Sequence, residues 1–222
     1  MKSLYLIPTP IGDLRDMTYK SVEYLNQVDQ ILAEDTRVSK KLLDHYNINV
    51  PLKSYHQHNE HKLTSSLIEE MKDGKTYALI TDAGMPGISD PAYLLVQACI
   101  KEKVPFEVLP GASAFLPALI YSGFPLDRFV FEGFLPHKKG RNKQLDQIKE
   151  NLATTVLYES PYRIPRLINE IKEIIGEETE LCICRELTKM HEECIYGTAE
   201  EISRHYLENK PRGEYVVVIK RK

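Results

Sequence analysis

Tyr77-Ala78-Leu79-Ile80-Thr81-Asp82-Ala83-Gly84-Met85-Pro86-Gly87-Ile88-Ser89-Asp90-Pro91 is a short apolar run that stops in a loop of glycine and proline. The first four residues suit a buried strand. Behind them, Gly84 and Gly87 admit positive φ, while Pro86 and Pro91 fix φ and remove amide donors, so regular structure cannot continue. A strand that ends in a rigid loop of bare backbone is where an open α/β sheet keeps its ligand. The plainer alternative is a tight connection of the kind common in α/β units. Asp90-Pro91 reads as the N-cap and first residue of the next helix.

Outward from this stretch, apolar runs alternate with helical patterns, which argues α/β. Strands are expected at Leu4–Ile7, Gln30–Ala33, Phe106–Leu109, Phe129–Glu132, Thr155–Tyr158, Glu180–Cys184 and Tyr215–Ile219. A segment led by Thr18 carries Val22 and Leu25 at helical spacing, and residues 62–73 place Leu63, Leu67, Ile68 and Met71 on one stripe. Residues 163–175 do the same with Ile164, Leu167, Ile168, Ile171 and Ile175. Small residues and prolines cluster around Pro110-Gly111-Ala112-Ser113-Ala114, which suggests a division into domains 1–112 and 113–222.

With 222 residues, 42% of them hydrophobic, the chain can bury a core in each half. Leu4–Ile7 is too short for a signal peptide or a membrane span, so a cytoplasmic location without membrane attachment is expected. Cys99, Cys182, Cys184 and Cys194 form no CxxC pair and read as free thiols. A net charge of −3 gives no overall attraction for nucleic acid, so any such binding needs a local patch. His137-Lys138-Lys139-Gly140-Arg141-Asn142-Lys143 is one candidate, the alternative being a solvated helix start.

Four turns rich in glycine or proline follow strand candidates: Pro8–Gly12, Asp82–Pro91, Pro110–Ser113 and Glu159–Arg163. On roughly parallel strands all four would gather at one edge and line one pocket. None is a Walker loop, and no G-x-G-x-x-G is present, which excludes an ordinary dinucleotide site. His56, His58 and His61 lie within six residues, but no zinc spacing is completed. Cys182 and Cys184, with His191 and Cys194 further on, imitate a ligand set; buried strand thiols are the simpler reading, and no metal is expected.

Seven blocks carry a resemblance. They are Leu4–Leu14, Ala33-Glu34-Asp35-Thr36-Arg37, Ser54–Glu60, Asp82-Ala83-Gly84, Phe131–Pro136, Tyr158-Glu159-Ser160-Pro161 and Arg185-Glu186-Leu187-Thr188-Lys189. In this order they resemble the small-subunit ribosomal RNA methyltransferases of the tetrapyrrole methylase superfamily, class III, over nearly the whole chain. The resemblance implies two α/β domains with the donor site in the interdomain cleft, S-adenosylmethionine as donor, and usually a homodimer. It implies as substrate the ribose 2′-hydroxyl of a cytidine in the decoding centre of 16S rRNA, within the 30S subunit. Alternatives are methylation of a tetrapyrrole or other small molecule on the same fold, or a non-catalytic assembly factor that binds the donor or RNA.

Carried over position by position, the resemblance implies a donor site at Pro10, Ile11, Gly84, Met85, Ile88, Ser113, Ala114, Tyr158, Glu159, Leu187 and Glu214. This chain has Met85 where the family commonly has threonine, and Ala112 where it has proline. Many relatives also continue past the strand at Tyr215–Ile219, which leaves open any RNA contact made there.

Methyl transfer to a hydroxyl needs in-line positioning and gains from a proton acceptor. Asp35 is the first candidate, with helix capping as the alternative, and Lys189 the second, with an ordinary surface lysine as the alternative. Arg37, Phe134, Lys138, Lys139, Arg141 and Lys143 are the expected RNA contacts, through phosphate pairing and base stacking; core packing is the alternative for Phe134.

Overall fold

A computed structural model describes residues 2–221, which form two compact units, 2–113 and 114–221. In the first unit five strands, β1 (Leu4–Leu6), β2 (Gln30–Ala33), β3 (Leu52–Ser54), β4 (Tyr77–Ile80) and β5 (Phe106–Val108), pair in parallel in the order β3-β2-β4-β1-β5. Helices α1 (Tyr19–Gln27), α2 (Thr36–His45), α3 (Glu60–Lys72) and α4 (Tyr93–Lys101) connect them.

Alternation along β1 decides which helix lies where. Leu4 and Leu6 pack with Leu67, Ile68 and Met71 of α3 and Leu95 and Cys99 of α4. Tyr5 and Ile7 pack with Leu25 of α1 and Leu43 of α2 on the opposite face. The chain leaving β1 therefore peels to one face and the chain leaving β4 to the other, which opens a crevice at the carboxyl ends of these adjacent strands.

The second unit has β6 (Phe129–Phe134), β7 (Thr154–Glu159), β8 (Glu180–Arg185), β9 (Glu193–Thr198) and β10 (Tyr215–Ile219), in the order β6-β7-β10-β8-β9. Only β6 and β7 run parallel. Roughly parallel strands, the condition for gathering all four turns at one edge, hold in the first unit and not in the second, where segment 186–192 between β8 and β9 is too short for a crossover. One face packs against α6 (Arg141–Glu150), α7 (Ile164–Glu170) and α8 (Ala199–Glu208) through Leu145, Ile168 and Ile202; α5 (Phe115–Ser122) packs on β7, β8 and β10. The helix expected through residue 175 runs on from α7 as a π-helical turn, Ile171–Ile175.

A second correction concerns α4. It starts at Tyr93, and Ala92 before it is extended at φ 174°, with no side-chain cap, so Asp90 does not cap this helix. Among the described residues no helix is long and apolar enough to cross a membrane.

Candidate active site

Three of the four glycine- and proline-rich turns meet at the carboxyl edge of the first sheet. Thr9 and Gly84 form an antiparallel bridge, each amide donating to the other's carbonyl at 2.9 Å. The Thr9 hydroxyl donates to the Thr81 carbonyl at 3.0 Å. Gly84 sits at φ +86°, open to glycine at little cost, with Ile11 and the Ala112 carbonyl close to where a Cβ would stand. Gly111 touches the first loop so closely that a Cβ would lie 2.7 Å from Pro8 Cβ. The loops after β1, β4 and β5 are thus fastened into one backbone-lined wall.

Of the expected donor contacts, Pro10 and Ile11 are buried in that wall, Met85 is half-buried, and Ile88 is 37% exposed. Among the described residues the buried Ser113 hydroxyl finds no hydrogen-bond partner. A buried polar atom without a partner is costly unless a ligand satisfies it, so Ser113 and the bare backbone at Gly84 fit a polar donor molecule.

Four carboxylates flank this wall at the ends of β2 and β4. Asp35 caps α2, accepting from the Arg37 amide at 2.8 Å and from the Arg37 guanidinium at 2.6 and 3.0 Å. Those bonds hold its carboxyl well below the usual range. The Asp35 amide donates to Asp82 Oδ1 at 3.2 Å. Burial, with Asp35 nearby, raises Asp82, and burial together with Asp82 raises Glu34. Asp90 is pushed up to about 7, by burial and then by Glu34 and Asp82. Glu34 and Asp90 had no site role in the sequence, where Asp90 reads as a helix cap; only the fold, by bringing them near Asp82, marks them, since adjacent carboxylates resist joint ionisation.

In the second unit Tyr158 and Glu159 end β7. Glu159 is buried, paired with Arg141 at 3.2 Å and Arg163 at 2.7 Å, and accepts from the Ser160 amide. Its carboxylate is committed to this network, which leaves backbone for any ligand. Arg141 has no exposure and also bonds Glu170 at 2.6 Å and the Pro136 carbonyl. Arg141 as an RNA contact is therefore corrected: it is a buried strut and presents nothing to a phosphate.

Lys138, Lys139 and Lys143 remain exposed. Phe134 is 53% exposed, its ring 5.5 Å from that of Tyr158, which in turn meets Phe131 edge-on. Ala114 precedes α5 without a side-chain cap, and Leu187 is buried.

Lys189 lies between Glu186 at 2.9 Å and Glu214 at 2.8 Å. Burial alone would lower its pKa, but Glu214 and Glu186 outweigh it and the net shift is upward. Asp35 is held ionised, the form that can accept a proton but a weak base, while Lys189 is held charged, the form that has no lone pair to accept one.

His56 and His58 touch edge-on, in a loop pinned by Asn59, which accepts from the His56 amide and donates to the Ser54 carbonyl. Among the described residues the group of potential metal ligands that comes together is Cys182, Cys184 and Cys194, without His191 and without these histidines.

Residues 3–203 match the family model for tetrapyrrole (corrin/porphyrin) methylases. A Halalkalibacterium halodurans protein named ribosomal RNA small subunit methyltransferase I is 45% identical over 98% of this chain and 75% of its own length. A protein of the same name from Thermotoga maritima is 42% identical, over 99% of this chain and 98% of its own. Among solved structures, diphthine synthase superposes with a TM-score of 0.75 at 14% identity, covering 99% of this chain and 90% of its own. The methyltransferase CobJ gives 0.74 at 16%, covering 100% and 95%. At such identities these two likenesses speak for the fold.

Proposed function

This chain belongs to the tetrapyrrole methylase family, and from that premise we propose that it methylates the 2′-hydroxyl of a cytidine ribose in the decoding centre of 16S rRNA, within the 30S subunit. It is a methyltransferase, and S-adenosylmethionine is its methyl donor. The observation that carries the choice of RNA is identity above 40% over nearly the whole chain to relatives named for that substrate. A homodimer and a cytoplasmic location belong to the same reading.

When bound, the donor supplies an electrophilic methyl group on a cationic sulfur; the protein's part is to hold, align and exclude water. In the first unit we assign Pro10, Ile11, Gly84, Met85, Ile88 and Ser113 to holding it, with Gly84 offering backbone and Ser113 its unpaired hydroxyl. In the second, Ala114, Tyr158, Glu159, Leu187 and Glu214 are assigned the same task, Glu159 by backbone because its carboxylate is spent on Arg141 and Arg163.

Exposed Phe134 beside Tyr158 offers a stacking surface for an unpaired base, and Lys138, Lys139 and Lys143 offer phosphate contacts. Asp35 serves by fixing Arg37, whose side chain is 88% exposed and free to meet a phosphate. The Lys189 cation, fastened to Glu186 and Glu214, contributes field rather than proton transfer.

The test is transfer of tritiated methyl from the donor to 30S subunits lacking the modification, followed by mapping of the label. Label on one cytidine ribose is expected. Label on a base, or transfer to a porphyrinoid and none to RNA, would sink the reading.

A further inference from the structure

The second unit gathers three of the chain's four cysteines in one place. Cys182 and Cys184 are two residues apart on β8 and so share one face, opposite to the one that sends Leu181 and Ile183 into the core. Cys194 on β9 stands directly across from Cys184 in the antiparallel register. The Sγ atoms of Cys182 and Cys184 are 3.7 Å apart, those of Cys184 and Cys194 2.9 Å, and all three lie within 4.8 Å of one another. Tyr196, opposite Cys182, donates to the Tyr121 carbonyl of α5 at 2.8 Å, and α5 packs over β8. Cys182 and Cys184 have no exposure, whereas Cys194 is half-buried, so the cluster has one way in, at the β9 edge.

One buried cysteine is explained as a small hydrophobe. Three converging sulfurs, one pair closer than thiols pack at ease, make a donor set. We propose that Cys182, Cys184 and Cys194 form a binding site for one soft, monovalent d10 cation of the copper(I) class. Softness follows from three thiolate donors. Charge and number follow from the missing fourth ligand: among the described residues no further histidine, cysteine or carboxylate joins the group, and a closed zinc site takes four.

Geometry agrees: sulfurs about 2.3 Å from a trigonal ion stand about 4 Å apart, near the observed 3.7 Å edge. The 2.9 Å edge must open by about 1 Å, and half-buried Cys194 on the edge strand is the group free to do so. Each ligating thiol releases its proton to solvent while its sulfur donates an electron pair, and the ion keeps its oxidation state.

The experiment titrates the full, reduced chain with copper(I) under anaerobic conditions against a chromophoric copper(I) chelator, reading stoichiometry, sulfur-to-copper charge-transfer absorption and proton release. One ion per chain is expected, with a rise in melting temperature, in wild type and equally in Cys99→Ala, whose thiol lies in the other unit. Cys184→Ala should bind more than about 100-fold more weakly, beyond what even outer partners of a metal site contribute. Cys194→Ser, at the half-buried position, reads the same loss should Cys184→Ala fail to fold. Three outcomes overturn the proposal: equal binding by wild type and both thiol variants, zinc(II) held more tightly than copper(I), or no uptake while all three thiols remain reduced.

Discussion

Arg141 is a full positive charge at zero exposure, and its place in the fold rests on two carboxylates, Glu159 and Glu170. Burying such a charge is tolerable only while its partners stay, and removing one side strands the others. Arg141→Ala should therefore cost about 3–5 kcal/mol, seen as a lower denaturant midpoint; a loss under about 1 kcal/mol would mean that Glu159 finds a substitute partner. Asp35 poses the opposite question, because one carboxylate both caps α2 and holds Arg37. Asn caps about as well as Asp, so Asp35→Asn should leave the melting temperature nearly unchanged. It should lower turnover at limiting RNA, because Arg37 loses the carboxylate that orients it, and leave donor affinity alone. Unchanged turnover would leave Asp35 a cap and nothing else. Asp90 gives the fold a pH dependence of its own. Its carboxyl is raised from 3.8 to about 7, so the folded state favours the protonated form. That stabilisation is complete below pH 3.8 and is lost as pH rises through about 7. Asp90→Asn should thus melt higher than wild type at pH 8 and lose that advantage toward pH 4, checked by melting temperature across pH; a constant difference would refute the assignment.

At the scale of elements, the crevice between β1 and β4 depends on loops that touch without side chains. Gly111→Ala puts a Cβ 2.7 Å from a proline ring that cannot swing aside, so the β1 and β5 loops must part. Overpacking of this kind costs about 1–3 kcal/mol. The expected result is a modest stability loss with a clearly raised KM for the donor; an unaltered KM would detach this contact from donor binding. This part of the fold was legible because Tyr77–Pro91 pairs an apolar run with φ-restricted residues, a purely local signal. Strand direction was not: Thr154–Glu159 and Tyr215–Ile219 are almost wholly buried, and such runs read alike in parallel and antiparallel sheets. The strand Leu52–Ser54 has one apolar residue and lies half-buried at the sheet edge, so no periodicity announces it. Arg141 was misplaced by reading charge before phase. It shares the buried stripe of α6 with Leu145 and Ile148, at a spacing of four and then three, and that spacing was there to be read. The carboxylates around Asp82 were hidden for another reason: Glu34 and Asp90 come together only when β2 and β4 pair, a non-local event.

Over the whole molecule the net charge is −3, so the long-range field repels RNA and attachment must be won locally. Arg141 is withdrawn into its buried network, which leaves the exposed lysines Lys138, Lys139 and Lys143 as the cationic face of the 137–143 segment. Contacts to phosphate act by releasing counterions, and each contact to unpaired RNA contributes about −0.7 to the slope of log K against log salt. The triple variant Lys138→Glu, Lys139→Glu, Lys143→Glu should therefore flatten that slope by about 2 and weaken binding to 30S subunits most strongly at low salt. Donor affinity should not change, since these residues lie outside the fastened loops of the first unit and outside the Lys189 network of the second. Reversal of a charge also adds repulsion, so Lys→Gln versions are the stricter measure: they should flatten the slope by the same amount with a smaller loss of affinity. An unchanged slope in the Gln triple variant would show that RNA is gripped elsewhere. Exposed Arg37 would then be the next cation to test, because Asp35 already fixes its direction.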